Sequence, residues 1–237
     1  MEANDFQPNR LEAAKTALQN FLQTRTSDRV GLVVFAGKPF TSIPLTFDYH
    51  IFEEILWRTT TSTIDQGYQQ LQGTAVGDAL LSSIALLKKW REDEKKTDER
   101  EQIIVLFTDG AANVWVDPTV VAELAREEHI EIYTVGIGSI EGGFITTQTP
   151  FGTRQQAVWG VDESTLQKIA DRTWGKYARA VNSNSLEEII RTIGKLKSTE
   201  VTDETQTQLR DASPFFVMIA GLLLITLIAL EKKSSIL

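Results

Sequence analysis

Apolar residues along the chain fall into two alternating patterns. Continuous runs over residues 30–36, 102–108 and 130–135 are rich in Val and Ile, which predicts strands buried on both faces. Between these runs, apolar residues recur at spacings of three and four, as at Leu80 and Ile84, which predicts helices. This alternation of strand and helix predicts an α/β fold with a doubly wound, mainly parallel sheet.

The remaining elements are shorter or less regular. Helices are predicted over residues 9–26, 49–57, 78–90, 118–128, 162–172 and 185–196, with short strands over 40–43 and 176–180. Residues 136–160 are rich in Gly and Thr and have few core-type positions, so we expect a long loop there. A loop of that length is more often functional or mobile than structural.

The end of the chain differs in composition from the rest. After the folded domain predicted over residues 1–196, residues 197–213 are polar and predict a linker, whereas residues 214–230 contain no charged residue. About 17 apolar residues can span a bilayer when flanking side chains reach the interface. We therefore expect one C-terminal transmembrane helix, followed by a short tail over residues 231–237.

Charges beside the expected span predict its orientation. Lys232 and Lys233 follow it directly, and Arg210 is the basic residue close to its other side. The positive-inside rule then favours the tail in the cytoplasm and the folded domain on the periplasmic or exterior side. If Met1 is the true start, the alternative is a cytoplasmic domain with the span inserted as a tail anchor.

Composition excludes several classes of function. The net charge is -8, which disfavours the clustered Lys and Arg that a nucleic-acid surface needs. The chain has no Cys and two His, so it has no disulfide, no thiolate nucleophile and no Cys-based zinc site. Nucleic acid is therefore not an expected partner.

The strongest candidate chemistry lies where strands end. Asp109 follows the predicted strand 102–108, and Thr74 precedes a predicted helix. Loops at the carboxyl ends of parallel strands share one crevice, so these two oxygen-bearing side chains could approach each other and contribute to a metal site. Trp115 and Gly142 lie in loops that would border the same crevice, and we expect them on a protein-binding rim.

An enzyme is the alternative class. A phosphatase-like α/β hydrolase could use Asp109 as its nucleophile, but the sequence around it offers neither a general acid or base nor a phosphate cradle. The chain also has no Gly-x-Ser-x-Gly elbow, no His-Glu-x-x-His and no Walker lysine. A binding module is therefore the preferred interpretation.

Several segments resemble one family in order and spacing. They include DFQPNRLEAAK, DRVGLVVFAG, GTAVGDAL, IIVLFTDGAAN, IYTVGIG and VDESTLQKIAD. Over residues 1–196 the chain resembles the von Willebrand factor A (VWA) domains of bacterial Bat-type, aerotolerance-related membrane proteins. The resemblance implies a Rossmann-like sheet and a protein-binding role in a membrane-associated complex. It also implies sibling Bat-type proteins and a MoxR-type AAA+ ATPase as partners.

The family's metal-ion-dependent adhesion site combines Asp-x-Ser-x-Ser after the first strand, a Thr and an Asp. Thr74 and Asp109 match the second and third elements, whereas the first is absent. We therefore expect the first strand and its motif to lie upstream of Met1. Mg²⁺ or another divalent cation would bind weakly in this incomplete form, although Glu2, Asn4 or Asp5 could substitute as a ligand. A remaining alternative is an inactive, truncated remnant.

Overall fold

The computed structural model describes residues 1, 3, 5–25, 27–63, 73–93, 101–110, 116–138, 143–149, 152–158 and 160–196. In chain order the elements are α1 (Arg10–Leu22), β1 (Val30–Phe35), β2 (Pro39–Thr46), α2 (Tyr49–Arg58), α3 (Val76–Asp93), β3 (Gln102–Thr108), α4 (Pro118–Glu127), β4 (Ile130–Ile137), β5 (Gly143–Thr149), β6 (Gly152–Val158), α5 (Glu163–Arg172), β7 (Tyr177–Ala180) and α6 (Ser183–Leu196). Most bounds differ from the predicted ones by a few residues.

Local capping explains where four of the helices begin. An Asn or Asp directly before each helix accepts a hydrogen bond from a backbone N–H of the first turn, which satisfies a group that has no partner inside the helix. The four capping residues are Asn9 before α1, Asp48 before α2, Asp117 before α4 and Asp162 before α5.

The parallel α/β architecture is confirmed. β4 lies in the middle of a parallel sheet of order β3-β4-β7. β1 and β2 form a separate antiparallel ladder. α3 packs against β1, β2 and β3, so it joins the two ladders through side chains.

Both faces of the parallel sheet are covered, as a doubly wound fold requires. Alternate residues of β4 point to opposite sides. Ile130 and Ile132 pack with α3, α4 and α5, whereas Tyr133, Val135 and Ile137 pack with α1 and α6. The core therefore has two layers, with β4 between them.

The prediction that β1 is buried on both faces was wrong. Its residues are half-buried, and Gly31 is exposed, whereas β4 is buried at all but one position. Within the described residues β1 is paired along one edge, to β2, so less of the chain covers its apolar side chains.

The prediction of an irregular loop over residues 136–160 was also wrong. β4 continues to Ile137, and β5 and β6 form an antiparallel hairpin in which Gly143 pairs with Val158 and Thr149 with Gly152. Thr, Ile and Val favour strands. Gly152 has a φ of 119°, a conformation that suits glycine at the start of the returning strand.

α1 faces the core mainly with small residues. Ala13, Ala14 and Ala17 are buried, whereas Leu11 and Leu18 are half-buried. Short side chains let α1 lie close to the sheet and to α6, which it contacts.

The expected transmembrane segment, residues 214–230, lies outside the described residues, as do the linker and the tail. Across the part of the chain that the structure describes, none of the helices combines the length and apolar character of a membrane span.

Candidate functional site

The structure brings the Thr74 and Asp109 loops together. Asp109 directly follows β3, and Thr74 lies just before α3. A Cβ on Gly110 would lie 3.4 Å from Thr74 Oγ1, an ordinary van der Waals contact. The loop that carries Asp109 therefore packs directly against the loop that carries Thr74.

Thr108 fixes the turn after β3. Its buried hydroxyl Oγ1 accepts a hydrogen bond from the Gly110 N–H at 3.3 Å and donates to the Gly110 carbonyl oxygen at 3.2 Å. A side chain that satisfies the backbone two residues later forms a local turn. Asp109 is therefore held at its apex.

The start of α3 is tied to both neighbouring loops. The Ala75 N–H donates to the Ala36 carbonyl oxygen at 2.7 Å, which links it to the segment after β1. Asp78 accepts from the Val116 N–H at 3.3 Å, which links it to the segment before α4. A Cβ on Gly77 would lie 2.8 Å from the Val116 carbonyl carbon, so the close approach requires glycine.

We define the crevice by five residues from these loops: Thr74, Asp78, Asp109, Gly110 and Val116. Val116 is 36% exposed, and it places an apolar side chain beside the polar ones. An apolar surface next to hydrogen-bonding groups is typical of protein-binding sites.

Asp109 already has two cationic neighbours. Its Oδ2 contacts the Met1 ammonium and lies 3.5 Å from Nη1 of Arg10. The Asp109 side chain is 24% exposed, whereas that of Arg10 is 1% exposed. The buried Arg10 guanidinium therefore compensates part of the carboxylate's negative charge from within the chain.

Arg10 is a residue that sequence reasoning missed. Its guanidinium binds both oxygens of Asp5, from Nε at 2.8 Å and from Nη2 at 2.6 Å. One signal was available, since Arg10 stands three, four and seven residues before the alanines of α1 and so shares their face. A charged residue on an otherwise small, apolar face indicates a buried ion pair.

Charge and burial shift the pKa values of Asp5 and Arg10 in opposite directions. Burial alone would raise the pKa of Asp5, but the hydrogen bonds and charge of Arg10 outweigh it, and the pKa lies below its ordinary value. Burial alone would lower the pKa of Arg10, but the Asp5 carboxylate and, more weakly, Asp109 hold it above its ordinary value. Both groups are therefore held in their charged forms.

The described residues do not make a complete divalent-cation site. Thr74 and Asp109 offer a hydroxyl and a carboxylate, whereas Mg²⁺ takes six oxygens. Over the described ranges, no cluster of three or more His, Cys, Asp or Glu residues is placed to hold a metal ion. Of the possible substitute ligands, Asp5 is paired with Arg10 instead, and Glu2 and Asn4 lie outside the described residues.

The two residues expected on the protein-binding rim, Trp115 and Gly142, lie outside the described residues. Val116, the immediate neighbour of Trp115, is described and borders the crevice.

The chain is similar to known proteins over most of its length. The chain is 26% identical over 227 residues to an uncharacterized protein of Borreliella burgdorferi, a match that covers 94% of this chain and 63% of that protein. The chain therefore spans less than two thirds of that relative's length.

Two solved structures are similar in both fold and sequence. BatB of Bacteroides thetaiotaomicron has a TM-score of 0.69 and 29% identity, over 84% of this chain and 94% of that chain. An aerotolerance-related membrane protein of Bacteroides fragilis has a TM-score of 0.66 and 28% identity, over 83% and 93%. The profile of the von Willebrand factor type A domain matches residues 1–192. The chain therefore belongs to the von Willebrand factor type A domain family.

Proposed function

We propose that this chain is a membrane-anchored protein-binding module that engages its partner at the crevice. The juxtaposition of the Thr74, Asp109 and Val116 loops carries the proposal. These three loops come from different parts of the sequence, and hydrogen bonds and close packing hold them together. Such a preorganised surface loses little conformational freedom on binding.

The chemistry of the crevice indicates how a partner would bind. The apolar Val116 side chain can be covered by an apolar or aromatic side chain of the partner, while the Thr74 hydroxyl and the Asp109 carboxylate offer polar contacts beside it. A divalent cation bound weakly at Asp109 would add to this contact. The proposed contacts of Val116, Thr74 and Asp109 with the partner do not require this cation.

We propose sibling Bat-type membrane proteins and a MoxR-type AAA+ ATPase as partners, on the basis of the family and of the similarity to BatB. A photoreactive amino acid at position 116 should crosslink to such a protein, purified from the same genome. The matched control is the same amino acid at Glu188, an exposed position on α6. Equal crosslinking from both positions, or crosslinking that Asp109→Asn leaves unchanged, would argue against the crevice.

The enzyme alternative has less support. An aspartate nucleophile needs a general acid or base beside it, whereas the buried side chain that contacts Asp109 is that of Arg10, with Nη1 at 3.5 Å from Oδ2. Turnover of generic phosphate esters that Asp109→Asn abolishes would favour the hydrolase over the binding module.

We further propose that residues 1–196 form the binding domain, residues 197–213 a linker and residues 214–230 a membrane anchor. Similarity to an aerotolerance-related membrane protein supports the anchor, and the lysines after the span support a periplasmic or exterior domain. Protease added to intact spheroplasts should degrade the domain. Full protection of the domain would reverse the orientation.

A further inference from the structure

Arg10 is a buried cation directly beneath the crevice. Its side chain is 1% exposed, and its three guanidinium nitrogens contact two different carboxylates. Asp5 is five residues away along the chain, whereas Asp109 is 99 residues away. A single side chain therefore links the segment before α1 to the loop after β3.

The loop after β4 is shaped to admit this guanidinium. Gly138 has a φ of 121°, and a Cβ at this position would overlap the guanidinium, with Nη1 2.9 Å away. The Gly138 N–H also donates to the carbonyl oxygen of Ala180, at the end of β7, at 3.0 Å. Arg10 is thus enclosed by α1, by Asp5 and by the loops after β3 and β4.

We propose that Arg10 is an internal cation of the crevice, which positions Asp109 and lowers the affinity of the site for divalent cations. The guanidinium lies next to the carboxylate oxygen that a metal ion would need. It repels a divalent cation and also neutralises part of the charge that would attract one. This inference rests on the proposed function only in taking Asp109 as the cation ligand of the crevice.

A purely structural role for Arg10 makes a different prediction. In that case the guanidinium would only fill and brace the space under Gly138, and its removal would lower stability without raising metal affinity. A charge role predicts tighter metal binding when the guanidinium is removed. The two roles can therefore be separated by a binding measurement.

The test is a titration of the full chain with Mn²⁺ alone, followed by electron paramagnetic resonance. Arg10→Gln should bind Mn²⁺ at least about tenfold more tightly than the wild type, the lower end of the effect of one unit charge on a divalent ion a few ångströms away. Adding Asp109→Asn should abolish the gain. Every variant must keep the same N-terminus, because the Met1 ammonium also contacts Asp109.

Lys15→Gln is the matched control. Lys15 is a second buried cation of α1, with a side chain that is 3% exposed, but it bonds Glu12 at 2.8 Å and the Trp57 carbonyl oxygen at 3.4 Å. Its removal should lower stability and leave Mn²⁺ affinity unchanged. An equal gain in both variants would contradict the proposal.

A second variant keeps the test decisive if Arg10→Gln does not fold. The double variant Arg10→Gln, Asp5→Asn removes both members of the buried pair, which avoids an uncompensated carboxylate. It should still bind Mn²⁺ more tightly than the wild type, because Asp109 has lost its guanidinium. Affinity equal to or below that of the wild type in a folded variant overturns the inference. Partner crosslinking is measured separately, so its failure would not affect this result.

Discussion

Gly77 and Val116 are in such close contact that any side chain at position 77 would meet the Val116 backbone. Gly77→Ala should therefore displace the Val116 loop and lower the free energy of unfolding by about 2 kcal/mol, as overpacking typically does. Urea unfolding followed by circular dichroism measures this change.

Gly110→Ala is the control for that variant. The added methyl would lie 3.4 Å from Thr74 Oγ1, an ordinary contact, so stability should change by less than about 1 kcal/mol. Equal stability of the two variants would show that the Val116 loop adjusts without strain.

Gly138→Ala should lower the free energy of unfolding more than Gly152→Ala does, although the two glycines have similar φ values of 121° and 119°. Both changes strain the backbone by about 1–3 kcal/mol. A Cβ on Gly152 meets no described atom within 4 Å, whereas one on Gly138 displaces the Arg10 guanidinium. Gly138→Ala should therefore cost about 1–2 kcal/mol more stability than Gly152→Ala, which thermal unfolding can measure.

A double-mutant cycle identifies the source of that excess. In an Arg10→Ala background, Gly138→Ala should be no worse than Gly152→Ala, because the clashing group is gone. If Gly138→Ala costs the same stability with and without Arg10, the loss comes from backbone strain alone.

Glu128 should make stability depend on pH. Its carboxylate bonds Lys88 and, at 2.6 Å, Arg91 Nη2, and the Lys88 hydrogen bond is the main cause that lowers its pKa. A lowered folded-state pKa contributes stability that is present above the unfolded pKa and is lost as pH falls through the folded one. Glu128→Gln should therefore reduce the unfolding free energy at pH 7, by about 1 kcal/mol, and much less at pH 3.

The control for Glu128 is Glu54→Gln, which removes an exposed pair with Arg58. Exposed pairs contribute little, so this change should alter stability only slightly at either pH. A Glu128→Gln effect that is the same at pH 7 and pH 3 would contradict the charge-based explanation.

Mg²⁺ should bind the wild-type chain with a Kd of about 1 mM or weaker, because two side-chain oxygens leave most of its coordination shell to water. Isothermal titration calorimetry measures this affinity. Micromolar binding that Asp109→Ala abolishes would be the contrary result, and it would indicate that other residues, Asp5 among them, complete the site.

Sequence alone could predict those features that depend on neighbouring residues. The apolar run of β3 and the capping residues Asp48, Asp117 and Asp162 are local signals, and the structure has the expected elements at each of them. The approach of Thr74 to Gly110 could also be anticipated, because loops at the carboxyl ends of parallel strands converge.

Features that depend on distant partners could not be predicted. The burial of Arg10 requires Asp109, which is 99 residues away, and a glycine at position 138. The β5–β6 hairpin has Thr and Gln at many positions and lacks a clear alternation of apolar and polar residues, which is the usual signal for a strand. The partial burial of β1 depends on its pairing, which within the described residues is with β2 alone.

The separation of the two ladders has a consequence for how the molecule opens. Within the described residues, the β1–β2 ladder shares no backbone hydrogen bonds with the β3-β4-β7 sheet, and side chains of α3 connect them. Strands that share backbone hydrogen bonds tend to open together. The packing of α3 against one ladder can be lost while the hydrogen bonds of both ladders remain. Native-state hydrogen exchange should therefore resolve two cooperative units, with the amides of half-buried β1 exchanging at a lower opening free energy than those of β4.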